Sequence, residues 1–204
     1  GEAMWKEKDV LLVVDVQNDF CPGGKLAVPG GDEVVPLINR IAKGFRHVVL
    51  TQDWHPAEHK SFAAQHPDKN PFEIAMMHYG HQTLWPDHCI QDTHGAAFHK
   101  DLHIPNAELI IRKGFREEID SYSAFFENDR TTPTGLGGYL KERGFEKVVC
   151  VGLAFDYCVR FSAEDARRLG FETEVIEAAC RSIDLDGSAE AARQSFREHG
   201  IALA

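Results

Sequence analysis

Cys158 is the residue whose setting promises chemistry. It follows a short apolar run, Val148, Val149, Cys150 and Val151, of the kind buried on both faces of a parallel sheet. Gly152 breaks that run. From Asp156 the spacing turns helical, with Val159, Ala163 and Ala166 on one face, Arg160, Glu164, Arg167 and Arg168 toward water, and a stop at Gly170. A strand, a tight turn and a helix therefore put the thiol in the helix's first turn. There, unpaired backbone N–H groups and the helix dipole favour thiolate over thiol, and the thiolate is the nucleophile. The same N–H groups can receive a developing oxyanion. The plainer alternative is a small buried hydrophobe, the usual fate of an unpaired cysteine.

Two other reactive types stand at strand ends. Asp15 closes the apolar run DVLLVVDV at 9–16, and Lys113 follows ELIIR at 108–112. In open parallel sheets, ligands collect beyond the carboxyl ends of the strands. A carboxylate there can take the thiol's proton, and an ammonium can hold that carboxylate. Alone, Asp15 is equally a turn acid and Lys113 a solvated cation; the convergence of three reactive types on one sheet edge favours catalysis.

A metal-ligating set accompanies them. In Gln52-Asp53-Trp54-His55 a carboxylate and an imidazole two residues apart point to the same side of an extended chain, so both can reach one ion. His88, within Trp85-Pro86-Asp87-His88-Cys89, supplies a third ligand, and His59 or Ser61 a further contact. Mixed nitrogen and oxygen donors suit Zn²⁺, Mn²⁺ or Fe²⁺, with positions left open for water or substrate. Asp-x-His is weak as spacing alone, and surface histidines are the alternative in so His-rich a loop.

The elements that must position these residues alternate between strand and helix. After the first strand comes a Gly- and Pro-rich loop at 17–31. A helix then opens at Asp32 or Glu33 with Val34, Ile38, Ile41 and Phe45 on one stripe. Residues 47–51 (HVVLT), 108–112, 148–151 and 173–176 (TEVI) read as further strands, and 201–204 as a short last one. Thr132 and Pro133 can cap and start a helix carrying Leu136 and Leu140, and 188–199 is amphipathic, stopped by Gly200. Such alternation predicts right-handed crossovers and a parallel sheet covered on both faces. Between the second and third strands, 53–107 lacks long periodicity yet holds nine of the eleven histidines and two of the three tryptophans. Disordered linkers are poor in aromatics, so this stretch reads as an ordered insertion at the active site.

Composition bounds the rest. With 204 residues, 43% hydrophobic and 26% charged, one domain spanning 1–204 is the expected organisation. A net charge of −10 with no basic cluster argues against a nucleic-acid partner, and no apolar run reaches membrane-spanning length. Cys21, Cys89, Cys150, Cys158 and Cys180 form neither a disulfide framework nor a zinc knuckle, which fits a reducing cytoplasm. No signal-peptide pattern opens the chain, and residues 1–3 ahead of Met4 read as an expression remnant. Monomer and homo-oligomer are both open.

Taken together, VVDVQNDFCPGGKLAVPGG from Val13, TQDWHPAEHKSF from Thr51, WPDHC from Trp85, RKG from Arg112, YSAFF from Tyr122 and GLAFDYCV from Gly152 resemble the nicotinamidases. These are a metal-binding branch of the isochorismatase-like cysteine hydrolases. The resemblance implies a three-layer α/β/α sandwich around a six-stranded, mostly parallel sheet. It also implies an amidohydrolase that converts nicotinamide, and pyrazinamide as well, to the acid and ammonia through a thioester. Asp15, Lys113 and Cys158 match the catalytic triad, and Asp53, His55 and His88 the ligands of one divalent ion (zinc first, then iron or manganese), with His59 or Ser61 as an added contact. Phe20, Trp85, Tyr122 and Leu153 match substrate-binding positions. The 153–154 bond matches a cis peptide, and the N–H groups of Ala154 and Cys158 the oxyanion hole. Phe155 stands where a small polar residue is more usual, a departure that bears on the pocket wall. Two other readings remain: a relative acting on carbamoyl or ureido compounds, which would lack the metal set, and a catalytically silent metal-binding module.

Overall fold

Strand β1 (Asp9–Val14) is buried at every position because it lies in mid-sheet with packing on both sides. Val10, Leu12 and Val14 face one core cluster, and Leu11 and Val13 the other. Around it run β2 (His47–Asp53), β5 (Ala107–Lys113), β6 (Lys147–Leu153), β7 (Glu172–Arg181) and β8 (Ala202–Leu203), in the spatial order β5-β2-β1-β6-β7-β8. Every pairing in this sheet is parallel. Residues 5–204 are described in this computed structural model; residues 1–3, read above as an expression remnant, lie outside them.

The two faces are covered unequally. On one side α1 (Val34–Ala42) packs Val34, Val35 and Ile38 into a core shared with Trp85 and Cys89 of the insertion. On the other, α2 (Leu136–Glu142), α3 (Arg160–Arg168) and α4 (Ser188–His199) bury Leu136, Leu140, Ala163, Ala166, Ala192 and Phe196. This is the expected three-layer sandwich.

Local departures have local causes. Helix α2 starts at Leu136 rather than at Thr132-Pro133, because 125–127 and 132–134 are tied by Glu127 N–H to Thr132 O (2.9 Å) and Thr134 N–H to Phe125 O (3.0 Å). Phe45 lies beyond the end of α1 yet is buried, its ring stacked on Trp5 at 4.6 Å. Glu164 does not face water. Its carboxylate is buried, accepting from Arg160 Nε (2.8 Å) and the Ser195 hydroxyl (2.6 Å), so it joins α3 to α4. The insertion is built of short turns and one antiparallel hairpin, β3 (Ile74–Met77) and β4 (Gly80–Thr83), that its pattern did not reveal. Backbone bridges His55–Ile90 and Phe62–Trp85 fold it back over the ends of the parallel strands.

Candidate active site and metal centre

Four strands deliver the reactive side chains to one sheet edge. Asp15 follows the last residue of β1, Asp53 ends β2, Lys113 ends β5, and Cys158 lies just beyond β6. All four are buried. Because β2 pairs with β5 in the register Asp53–Lys113, the carboxylate and the ammonium arrive side by side. Asp15 adopts φ +50, an uncommon value for a non-glycine residue, and this turns its carboxylate back toward Thr51.

Hydrogen bonds fix each group. The Thr51 hydroxyl donates to Asp15 Oδ1 (2.6 Å) and accepts from Asp15 N–H (3.1 Å). Lys113 Nζ donates to Asp53 Oδ1 (2.5 Å), Ser121 O (3.0 Å) and Cys158 Sγ (3.4 Å), and lies 2.8 Å from Asp15 Oδ2. Burial lifts the Asp15 carboxyl to about 6, with repulsion from Asp53 adding to it and Lys113 opposing. Burial alone would lower Lys113, but Asp15 and Asp53 hold its ammonium well above the usual range.

The thiol departs from expectation. Cys158 lies in a π-helical turn, Phe155–Val159, ahead of α3 rather than in an α-helix's first turn. Burial pushes its thiol well above the ordinary value, despite Lys113. The resting group is therefore a thiol, and the local backbone does not make it a standing thiolate. With Asp15 and Asp53 atoms all within 4.8 Å of its sulfur, a base stands at hand instead.

On the far side of Asp53, the two histidines present ring nitrogens. His88 Nδ1 donates to Pro86 O (2.7 Å), which leaves Nε2 a bare lone pair 3.9 Å from Asp53 Oδ2. Burial lowers the pKa of this ring to about 4, so it stays neutral. His55 meets acceptor oxygens at both nitrogens: His88 O from Nδ1 (3.2 Å) and Asp120 Oδ1 from Nε2 (3.0 Å). The Gly114 backbone leaves room there, since a Cβ on it would lie 2.9 Å from His55 Nε2. Ligand atoms of Asp53, His55 and His88 lie within 4.8 Å of one another. A carboxylate, a neutral imidazole and a second imidazole facing only acceptors fit a borderline divalent cation.

His59 lies outside that set and clusters instead with His55 and Asp120. Its Nδ1 accepts from Ser61 N–H (3.0 Å) and its Nε2 donates to Ile119 O (3.1 Å), so both nitrogens are committed. The Ser61 hydroxyl is buried without a hydrogen bond of good geometry.

A narrow cavity reaches both sets. It is lined by Asp53, His88, Asp120, Ala154 and Cys158 together with the rings of Phe20, Trp85, Tyr122 and Tyr157. Leu153 is not on this wall; its side chain is in the core against Gly31. Phe155 also points away, edge-on to Phe196 at 5.4 Å beneath α4, so its size leaves the pocket unchanged. The Leu153–Ala154 peptide is cis. Two residues before the thiol, buried Asp156 accepts from Ile183 N–H, Asp184 N–H and the Ser188 hydroxyl. A wider cavity, lined by residues of loop 18–25 and of 90–99, touches none of the three reactive residues.

Thr51 and Asp120 were not singled out in the sequence. Thr51 looked like any β-branched strand residue. Asp120 follows Glu117 and Glu118 in an acidic stretch and differs from them only by its apolar neighbour Ile119.

The isochorismatase domain profile matches residues 9–203. The chain belongs to the isochorismatase family. Within this family, it is 52% identical over 191 residues to a nicotinamidase of Acinetobacter baylyi, covering 94% of this chain and 89% of that one. A solved nicotinamidase/pyrazinamidase of Acinetobacter baumannii superposes with a TM-score of 0.96 at 58% identity, covering 97% and 96% of the two chains. A Pyrococcus horikoshii pyrazinamidase, solved in complex with zinc, superposes with a TM-score of 0.78 at 33% identity, covering 97% and 98%. No helix among the described residues is long and apolar enough to cross a membrane.

Proposed function

We propose that the chain is a nicotinamidase, hydrolysing nicotinamide to nicotinate and ammonia with Cys158 as nucleophile. The observation that carries this reading is one aromatic-walled cavity lined by Cys158, whose sulfur is backed by Lys113 and Asp15, and by Asp53 and His88 of the cation-binding set. Near full-length similarity to nicotinamidases supports it. The single hydrolase domain would use its 53–107 insertion to build the metal side. Pyrazinamide carries the same amide with a ring nitrogen in the corresponding meta position and would also be a substrate.

The residues divide the work as follows. Phe20, Trp85, Tyr122 and Tyr157 hold the ring. Asp53, His55 and His88 would hold one divalent ion, zinc by preference and iron or manganese as alternatives. When bound, such an ion would accept the pyridine nitrogen as a ligand and so fix the ring's orientation. Asp15 removes the proton from Cys158 Sγ, and the Lys113 N–H directed at that sulfur steadies the thiolate as it forms. The sulfur adds to the amide carbon, and the backbone N–H groups of Ala154 and Cys158 receive the oxyanion. Asp15 returns its proton to the amide nitrogen as the C–N bond breaks, which releases ammonia and leaves a thioester. Asp15 then takes a proton from water, whose oxygen adds to the thioester carbon; the C–S bond breaks, and the acid and the thiol are restored. Free, buried cysteines support a reducing, cytoplasmic setting for this thiol.

The test is ammonia release from nicotinamide by the parent chain, by the parent after chelation and metal return, and by Cys158→Ala. Activity that falls with chelator, returns with metal and is absent from Cys158→Ala is expected. Equal activity in Cys158→Ala would sink the thioester route. No activity with any metal would point to another amide or ureide.

A further inference from the structure

Asp120 belongs to neither group of residues described so far. It is buried at the start of the segment Asp120-Ser121-Tyr122 that forms part of the pocket wall. Its Oδ1 accepts from Ser121 N–H (2.8 Å) and lies 3.0 Å from His55 Nε2. The other nitrogen of His55 faces a carbonyl oxygen. A neutral imidazole has one N–H and one lone pair, so both contacts are met together only when His55 carries a second proton or one of its nitrogens meets a cation.

Three further observations bear on that point. Gly114 leaves space at the same place: an added Cβ would lie 2.9 Å from His55 Nε2 and 3.5 Å from Asp120 Oδ1, at a backbone φ of +74. The Ser61 hydroxyl, fully buried and without a well-directed hydrogen bond, stands beside the Asp120 carboxylate. Asp15, Asp53 and Asp120 bring three carboxylates to the buried site against the single ammonium of Lys113; buried carboxylates need positive partners, which a proton on His55 or a bound cation supplies.

We propose that Asp120 is a fourth protein member of the metal centre, a positioning residue that orients His55 and supplies the second negative charge an ion needs there. This rests on the metal-dependent reading above. Asp120 lies outside the three-ligand cluster of Asp53, His55 and His88 but forms a second cluster with His55 and His59; sharing only His55 with the first, it acts on that ion through His55. Carboxylates in that position orient a ligating histidine and raise its basicity, and losing one typically weakens metal binding by about 10–100-fold.

The experiment measures metal binding directly. Metal-free parent protein, Asp120→Asn, Asp120→Glu and Asp53→Asn are titrated with Zn²⁺ against a chromophoric chelator, and with Co²⁺ by its visible absorption. One ion per parent chain is expected. Asp120→Asn, which can still accept from Ser121 N–H, should bind about 10–100-fold more weakly with an altered Co²⁺ spectrum, and Asp120→Glu should recover part of the loss. Asp120→Asn binding within twofold of the parent, with the same spectrum, overturns the proposal alone. A parent that binds no ion overturns the metal reading and the proposal with it. If Asp120→Asn does not fold, Asp120→Ser decides: an unchanged affinity and Co²⁺ spectrum in that uncharged variant overturn the proposal.

Discussion

Asp15 Oδ2 and Lys113 Nζ lie 2.8 Å apart, yet that oxygen receives no well-directed hydrogen bond. The three ammonium protons go to Asp53 Oδ1, Ser121 O and Cys158 Sγ. Lys113 therefore steadies Asp15 through charge and leaves a lone pair on Oδ2 free to take a proton. One cation holds the base, the sulfur and the metal-side carboxylate in a single arrangement.

Removing that cation should cost stability as well as activity. Lys113→Met leaves two buried carboxylates facing each other without their counter-ion. Breaking a buried pair typically costs about 3–5 kcal/mol, and protonation of Asp15 would recover part of it. Urea unfolding should show a lower midpoint at pH 7; a midpoint equal to the parent's would contradict the ionic role assigned to Lys113.

The reaction's pH dependence follows from the base. Asp15 must be ionised to take the thiol proton, and its carboxyl is held near 6 by burial and by Asp53. The acid limb of kcat/KM is expected near that value. Thr51→Val removes a hydrogen bond that favours the ionised form. A hydrogen bond to a charged group is worth about 1.5–3 kcal/mol, so the limb should move up by about one unit or more. A limb left in place would remove Thr51 from the catalytic arrangement.

Stability carries the opposite sign at the same residue. Because the folded carboxyl titrates above its ordinary 3.8, the folded state binds more protons between about pH 4 and 6 than the unfolded chain does. Ionising Asp15 therefore costs stability as pH rises through that window, about 3 kcal/mol once complete. Asp15→Asn should be inactive but at least as stable as the parent at pH 7, with the difference shrinking toward pH 4. Thermal melts at several pH values measure this, and a variant much less stable at pH 7 would reverse the assignment.

The thiol should be quiet at rest. With burial raising Cys158 well above the ordinary cysteine range, iodoacetamide should label it in the free protein no faster than an exposed thiol. Mass spectrometry of the labelled chain reads this directly. Rapid labelling at pH 7 would restore the thiolate that the sequence suggested.

Ion binding should also stabilise the fold. An ion at about 100 times its dissociation constant adds about 2.7 kcal/mol, so Tm should rise on adding zinc to the metal-free protein. His88→Ala should abolish the rise, because His88 Nε2 is a lone pair with no proton to donate toward Asp53.

Sequence carried the sheet and the strand-end residues well for one reason. β1 and β6 are buried on both faces, so each reads as an unbroken apolar run whose polar terminus marks the reactive edge. The β3–β4 hairpin is half exposed, with Ile74 and Met76 outward, and four-residue strands leave little period to detect. Thr51 and Asp120 act through contacts with residues 36 and 65 positions away, which no local pattern reports. His59, expected with Ser61 as a further metal contact, hydrogen-bonds Ser61 N–H and Ile119 O and clusters with His55 and Asp120 rather than with Asp53 and His88. Cys158 shows the limit of local reasoning most plainly: its backbone setting favoured a thiolate, and burial outweighs that preference.

Asp53 gives one oxygen to Lys113 and turns the other toward His88. The reacting half and the substrate-anchoring half of the pocket thus meet in a single side chain, a bottleneck for inheritance as much as for chemistry. A lineage shedding its metal requirement by changing Asp53 would in the same step take from the lysine beneath the sulfur one of its two carboxylate partners. Metal loss and a weakened triad would arrive together, which narrows the paths open to descendants of this chain.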